Sequence, residues 1–142
     1  MCSYCGCRSI TVIAELTLEH EEVVNVLGHV VRAAAAGDAE GARGATTRLA
    51  GLLGPHTSRE ELGLFAALRE EPELAAHVDV LCLEHTEIDA LVERVASGDL
   101  GSAPALEHLL RRHIDKEENG LFPAAVIALD GPTWDRVVAA AS

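Results

Sequence analysis

Apolar residues recur along this chain at alternating spacings of three and four, the signature of helices buried along one face. The first such stretch, from about Thr11 to Ala36, carries Leu16, His20, Val23, Leu27 and Val30 on one stripe and stops at Gly37-Asp38. A second covers roughly Ala39 to Glu70 and is interrupted by Gly54-Pro55, where the missing amide and the proline ring predict a kink or bulge just before His56. The third is expected to begin at Pro72, a favoured first helical position, and aligns Leu74, Val78, Leu81, His85, Ile88, Val92 and Val95. The fourth runs from about Ser102 to Leu129 with Leu106, Leu110, His113 and Glu117 in line, and a short tail helix follows Gly131-Pro132. No segment shows the period-two alternation of a strand. Short connections near Gly37, Glu71 and Gly98 to Gly101 make consecutive helices antiparallel neighbours. The expected fold is therefore all-α, an up-down-up-down four-helix bundle over 11–142, with a Cys-rich N-terminal tail at 1–10 and a short C-terminal helix.

Polar residues interrupt these stripes in a pattern of their own. His20 and His85 stand inside otherwise apolar seams, where an imidazole is costly unless something inside the fold needs it. A short word occurs twice, His56-Thr-Ser-Arg-Glu60 and His113-Ile-Asp-Lys-Glu117, and each copy continues through a second glutamate, Glu61 or Glu118, into Leu-Phe. Four residues on a helix turn through only about 40° beyond one full turn, so each histidine and its glutamate project from the same face as a chelating pair. Counted from the turns, His20 and His56 lie 17 and 19 residues from Gly37, and His56 and His85 lie 15 and 14 from Glu71. His85 and His113 each lie 14 from Asp99. At about 1.5 Å per residue these mismatches place all four histidines within roughly 3 Å of a common level. Four imidazoles and two inward carboxylates exceed the needs of one four-coordinate zinc ion and suit iron or manganese, with carboxylates able to bridge two metals.

Composition narrows the setting. The 142 residues suffice for one domain with a sizeable core, and 49% hydrophobic residues with only 3% aromatics suggest close packing of Ala, Leu and Val. A formal charge of −12 argues against a nucleic-acid backbone or an anionic membrane as partner. No apolar run reaches the length of a membrane span and the N-terminus lacks a secretory pattern, so the expected location is the cytoplasm.

The order His20, His56-x-x-x-Glu60-Glu61 into Leu64-Phe65, Glu84-His85, and His113-x-x-x-Glu117-Glu118 into Leu121-Phe122-Pro123 resembles the hemerythrin-like, or HHE cation-binding, domains over about Ile13 to Leu129. The resemblance implies a four-helix bundle around two non-haem iron ions, oxo- or hydroxo-bridged, with zinc or manganese as substitutes. It implies His20 and His56 on one iron, His85 and His113 on the other, and Glu60 and Glu117 as bridging carboxylates. The respiratory members carry a further histidine one turn after the one matched by His85; this chain has Asp89 there, a candidate to complete the shell. Those oxygen carriers also place the last bridging acid five residues after its histidine, at Glu118, but that position lies about 140° around the helix, which favours Glu117. Glu61 and Glu118 remain candidates for proton relay or for outer support of the ligands. This ligand set is similar to that of bacterial members associated with peroxide, oxygen or nitric oxide chemistry.

Two functional readings follow. In one, the protein binds or reduces hydrogen peroxide, dioxygen or nitric oxide at the di-iron centre, with catalase-like peroxide breakdown the most concrete enzymatic form. In the other it is a non-enzymatic redox sensor or iron-handling module acting through Cys2, Cys5 and Cys7, whose Cys-x-x-Cys-x-Cys spacing also suits a second metal or a redox-switched disulfide. Cys82 reads as a plain buried thiol, and His29, His77 and His108 as non-ligands off the inward lines. Trp134 is expected to pin the C-terminal segment to the bundle, and Phe65 and Phe122 to pack in the core. No protein partner is indicated.

Overall fold

The computed structural model describes the backbone of residues 7–141 and the side chains of 9–140. Cys2, Cys5 and Tyr4 lie outside the described residues, and of Cys7 only the helical backbone is described. Five helices account for the fold, and no strand occurs among the described residues. Helix α1 spans Cys7–Ala35 and so starts four residues ahead of the expected Thr11. Helix α2 covers 39–69, α3 Ala75–Ala96, α4 103–128 and α5 Gly131–Ala141. Helix α1 packs on α2, α2 on α3, α3 on α4, and α4 back on α1, closing a helical bundle.

The turns are written in local chemistry. After α1 the chain reverses through Gly37 at φ +70°, a left-handed conformation that costs glycine little, with Gly37 N–H donating to Ala34 O and Asp38 N–H to Ala33 O. Asp38 then caps α2 by accepting from Gly41 N–H at 2.9 Å. A Cβ on Gly41 would stand 2.3 Å from Asp38 Oδ2, so a side chain there would make the capping carboxylate turn. The turn after α3 repeats the device with Gly98 at φ +106°. Asp130 caps α5 through Thr133 N–H.

Three helical boundaries and irregularities differ from the sequence reading. The chain stays helical through Gly54-Pro55, where the proline loses one backbone bond without breaking the helix; the irregularity comes later, as a π-helical turn over Glu60–Leu64. A second π turn, which periodicity did not suggest, occupies Glu117–Leu121 in α4. Helix α3 starts at Ala75 rather than Pro72, because Leu74 and Ala75 N–H both return to Glu71 O and close a separate turn around the proline.

Two apolar clusters fill the bundle. One, around Leu27, Leu49, Val95 and Leu106, occupies the end holding the α1–α2 and α3–α4 turns. The other, around Leu16, Phe65, Leu81 and Phe122, occupies the opposite end, where α5 lays Trp134 and Val137 across it. Trp134 thus pins the C-terminal helix, as the sequence suggested, and Phe65 and Phe122 are core residues. Between the clusters lies a polar layer.

Candidate metal centre

Each of the four bundle helices brings one histidine to that layer: His20 from α1, His56 from α2, His85 from α3 and His113 from α4. All four are buried, and Glu60 and Glu117 between them have no exposed surface. The six side chains form two overlapping groups, His20–His56–Glu60–Glu117 and Glu60–His85–His113–Glu117, in each of which the potential ligand atoms lie within 4.8 Å of one another. Both glutamates belong to both groups.

The rings point their Nε2 atoms inward. His20 Nε2 is 3.1 Å from both His56 Nε2 and Glu117 Oε1. His56 and His85 Nε2 lie 3.3 and 3.4 Å from Glu60 Oε1, and His113 Nε2 lies 3.5 Å from Glu117 Oε1. Phe122 stacks on His20 and Phe65 on His85, with ring centroids 5.9 and 5.7 Å apart and planes within 3° and 2°. The outward Nδ1 atoms each meet a different carboxylate. His20 pairs with Glu118 at 2.7 Å, His56 with Glu19 at 2.7 Å, His85 with Glu61 at 2.6 Å and His113 with Glu84 at 2.9 Å. Such pairs hold the Nδ1 proton and leave the Nε2 lone pair free for a cation. Two of the supporting acids are themselves tethered, Glu19 by Arg59 and Glu84 by Lys116.

The arrangement is a pseudo-two-fold, with α1–α2 and α3–α4 contributing the same parts. Glu19 and Glu84 precede the histidines of α1 and α3 and reach across to the histidine of the next helix. Arg59-Glu60-Glu61 and Lys116-Glu117-Glu118 supply, in order, a clamp for that acid, a central carboxylate and an Nδ1 partner for another ring.

The electrostatics are those of a site short of positive charge. Burial pushes the Glu117 carboxyl well above its ordinary value, and the charge of Glu60 adds to the effect. Glu60 goes the other way: burial would raise it, but the close contacts of Glu117, His56 and His85 hold it well below. Two buried carboxyls in one layer oppose each other's charge, which drives their proton affinities apart. Burial lowers His113 to about 4, with the neighbouring His85 adding to it, and burial also lowers His20. For His85 the opposing effect of burial is outweighed by Glu60 and Glu61, so that ring is raised. Both oxygens of Glu60, both of Glu117 and His85 Nε2 are buried without a hydrogen-bond partner. Five orphaned polar atoms converging in one layer are too costly to keep without compensation, and neutral imidazoles with carboxylates are the donor set that iron, manganese or zinc accepts. The residues therefore fit a pair of cations.

A family model for the hemerythrin HHE cation-binding domain matches residues 11–125. The chain belongs to that family. It is accordingly a metal-binding protein built on a helical bundle, and the match covers all six central side chains. Comparisons with curated proteins and with solved structures find no match.

The structure brings together all six residues that the repeated words and the inward histidines suggested. Glu117, not Glu118, faces the cluster. Asp89 is exposed and stands outside both groups, though it lines a small cavity beside them. Glu61 and Glu118 reach the site as Nδ1 partners, with 41% and 32% of their side chains exposed. His29 and His108 are exposed and His77 half-buried, and none joins the groups. Cys82 is half-buried rather than buried, its sulfur 3.4 Å from Arg69 Nη2. Sequence reasoning missed Glu19, Glu84, Arg59 and Lys116 as parts of the site. Their signal was present: a glutamate immediately before each inward histidine of α1 and α3, and a basic residue immediately before each Glu-Glu.

On the side of the four rings away from Glu60 and Glu117 lies a cavity of ≈ 10 Å³, near the lower limit for one water. Val23, Leu53, Ile88 and Leu110 wall it, and Thr57, Asp89 and Ile114 stand at its rim.

Proposed function

We propose that this chain is a non-haem di-iron protein that binds and reduces small oxygen-derived species or nitric oxide, with breakdown of hydrogen peroxide to dioxygen and water as its most concrete activity. The observation that carries the reading is the sharing of Glu60 and Glu117 between two histidine pairs, which is what two adjacent cations need and one does not. His20 and His56 would hold one iron, His85 and His113 the other, and the two glutamates would bridge them. Up-down-up-down helix order, with each pair of helices supplying half of the site, accounts for the pseudo-two-fold. When bound, two ferrous ions supply the two electrons that reduce a peroxide O–O bond.

The protein's own groups set the conditions. Glu118, Glu19, Glu61 and Glu84 fix the ring orientations, and stacked Phe65 and Phe122 keep water from His85 and His20. Glu61 and Glu118 join the buried rings to the surface and are the groups placed to pass protons inward. The small aliphatic cavity limits the ligand to very few atoms. No helix among the described residues is long and apolar enough to cross a membrane. We place the protein in the cytoplasm, where its thiols would stay reduced.

The test is metal content per chain on protein purified without added metal, followed by dioxygen release from peroxide before and after chelation. Two irons per chain and turnover that vanishes with the iron are expected. One zinc per chain would overturn the di-iron reading, and turnover that survives complete iron removal would overturn its enzymatic form.

A further inference from the structure

The cavity beside the rings has a polar rim on one side only. Of its lining residues Asp89 alone is exposed, Thr57 and Ile114 are half-buried, and the rest are buried. Thr57 follows His56 on α2, and Asp89 lies one turn beyond His85 on α3, the helix packed against α2. The pseudo-two-fold relates these two to Ile114 on α4 and Val24 on α1, both aliphatic and half-buried. Among the described residues the cavity thus has one exposed lining residue, the acid Asp89 on α3, with the hydroxyl-bearing Thr57 on neighbouring α2, whereas α4 lines it with Ile114 at the equivalent position and Val24 of α1 does not line it.

Asp89 is poorly placed to be a seventh ligand. The six central side chains are buried, whereas Asp89 is exposed and contributes no atom to either group. A fixed negative charge at the rim of a narrow, aliphatic-walled cavity acts instead on what enters, because low-dielectric walls focus the field along the passage. The chain's charge of −12 adds a background of the same sign. Taking the di-iron reading as its basis, we propose that Asp89 is a specificity-determining residue at the cavity mouth, admitting neutral small molecules such as dioxygen, nitric oxide and hydrogen peroxide while opposing small anions. Thr57 supplies the hydrogen-bonding partner for an uncharged ligand at the same mouth.

The experiment uses the full chain loaded with iron, as wild type, Asp89→Asn and Asp89→Glu. Azide binding to the oxidised protein probes an anion, and nitric oxide binding to the reduced protein probes a neutral diatomic, both followed optically. Asp89→Asn is expected to bind azide about three- to tenfold more tightly, with iron per chain and nitric oxide affinity unchanged. Asp89→Glu, which keeps the charge, should behave like wild type, and added salt should narrow the gap between wild type and Asp89→Asn. Loss of iron from Asp89→Asn would make Asp89 a ligand and overturn the proposal. So would an unchanged azide affinity, or equal shifts for azide and nitric oxide. A wild type that takes up no iron overturns the di-iron reading and this proposal with it, whereas an iron-loaded wild type failing the azide comparison overturns this proposal alone.

Discussion

Glu117 sits fully buried with neither carboxylate oxygen hydrogen-bonded, and its carboxyl is held well above the ordinary 4.5 by burial first and by Glu60 second. A carboxyl raised in the folded state keeps a proton that the unfolded chain has released. Its contribution to stability is full below pH 4.5 and is lost as the pH rises through the folded value. His113, lowered to about 4, works in the opposite sense: its contribution is present above 6.5 and is lost as the pH falls toward 4. In chelator-treated protein, Glu117→Gln removes the first limb. It should stabilise the fold by about 1–3 kcal/mol at pH 7 and do little near pH 4, as measured by urea unfolding; equal effects at the two pH values would remove this account of the buried pair. Glu84 acts one layer out, holding His113 Nδ1 while Lys116 holds it in turn. Glu84→Gln should leave helicity intact and weaken metal retention about 10- to 100-fold, read as the rate of metal loss to a chelator. The central six were legible in the sequence because a four-residue spacing on a helix has one geometric meaning. Glu19 and Glu84 were not, because each serves a ring on another helix, and that pairing exists only once the helices are packed.

At the scale of elements, the two π turns explain how one helix can carry both ligands and core. In an unbroken α-helix Phe65 would stand about 180° around from His56, pointing away from the layer that needs both. A π turn absorbs one residue, which brings Phe65 to about 80° from His56 and Leu64 and Leu68 to within about 20° of its line. The turn over Glu60–Leu64 thus re-phases the apolar stripe, and it also lets consecutive Glu60 and Glu61 meet the Nε2 and Nδ1 sides of one ring, His85. The same arithmetic applies to His113 and Phe122 across Glu117–Leu121. Deleting Leu62, which is exposed within the first π turn, should anneal it into regular helix. Leu64, Phe65 and Leu68 would keep their faces and the melting temperature would stay close to that of wild type, but Glu61 would swing away from His85, and metal retention should fall about tenfold. Unaltered metal retention in that variant would mean the π turn has no part in holding the ring. Periodicity located helix α2 but not this turn, since Gly54-Pro55 is a louder local signal. The proline is tolerated because the helix loses only one backbone bond there, whereas the π turn is imposed by the packing of both flanks.

For the molecule as a whole, the polar layer separates two apolar clusters and is the weak plane of the bundle while its carboxylates lack countercharge. Cations bind the folded layer and have no such layer to bind in the unfolded chain, so they stabilise by mass action. Removing them with a chelator is expected to lower the melting temperature by about 5–15 °C, with restoration on adding ferrous iron back. A melting temperature indifferent to chelation would mean that the layer is stable on its own. The all-helical class, the order of the helices and the six inward ligand side chains follow from the chain's own spacing, because helical periodicity converts sequence separation directly into direction and height. The second tier of carboxylates with their clamps, the π turns that re-phase the helices, and the meeting of Thr57 and Asp89 on one cavity were decided by the tertiary structure. Each of these depends on which residues of different helices come to face one another, and no single helix's spacing encodes that.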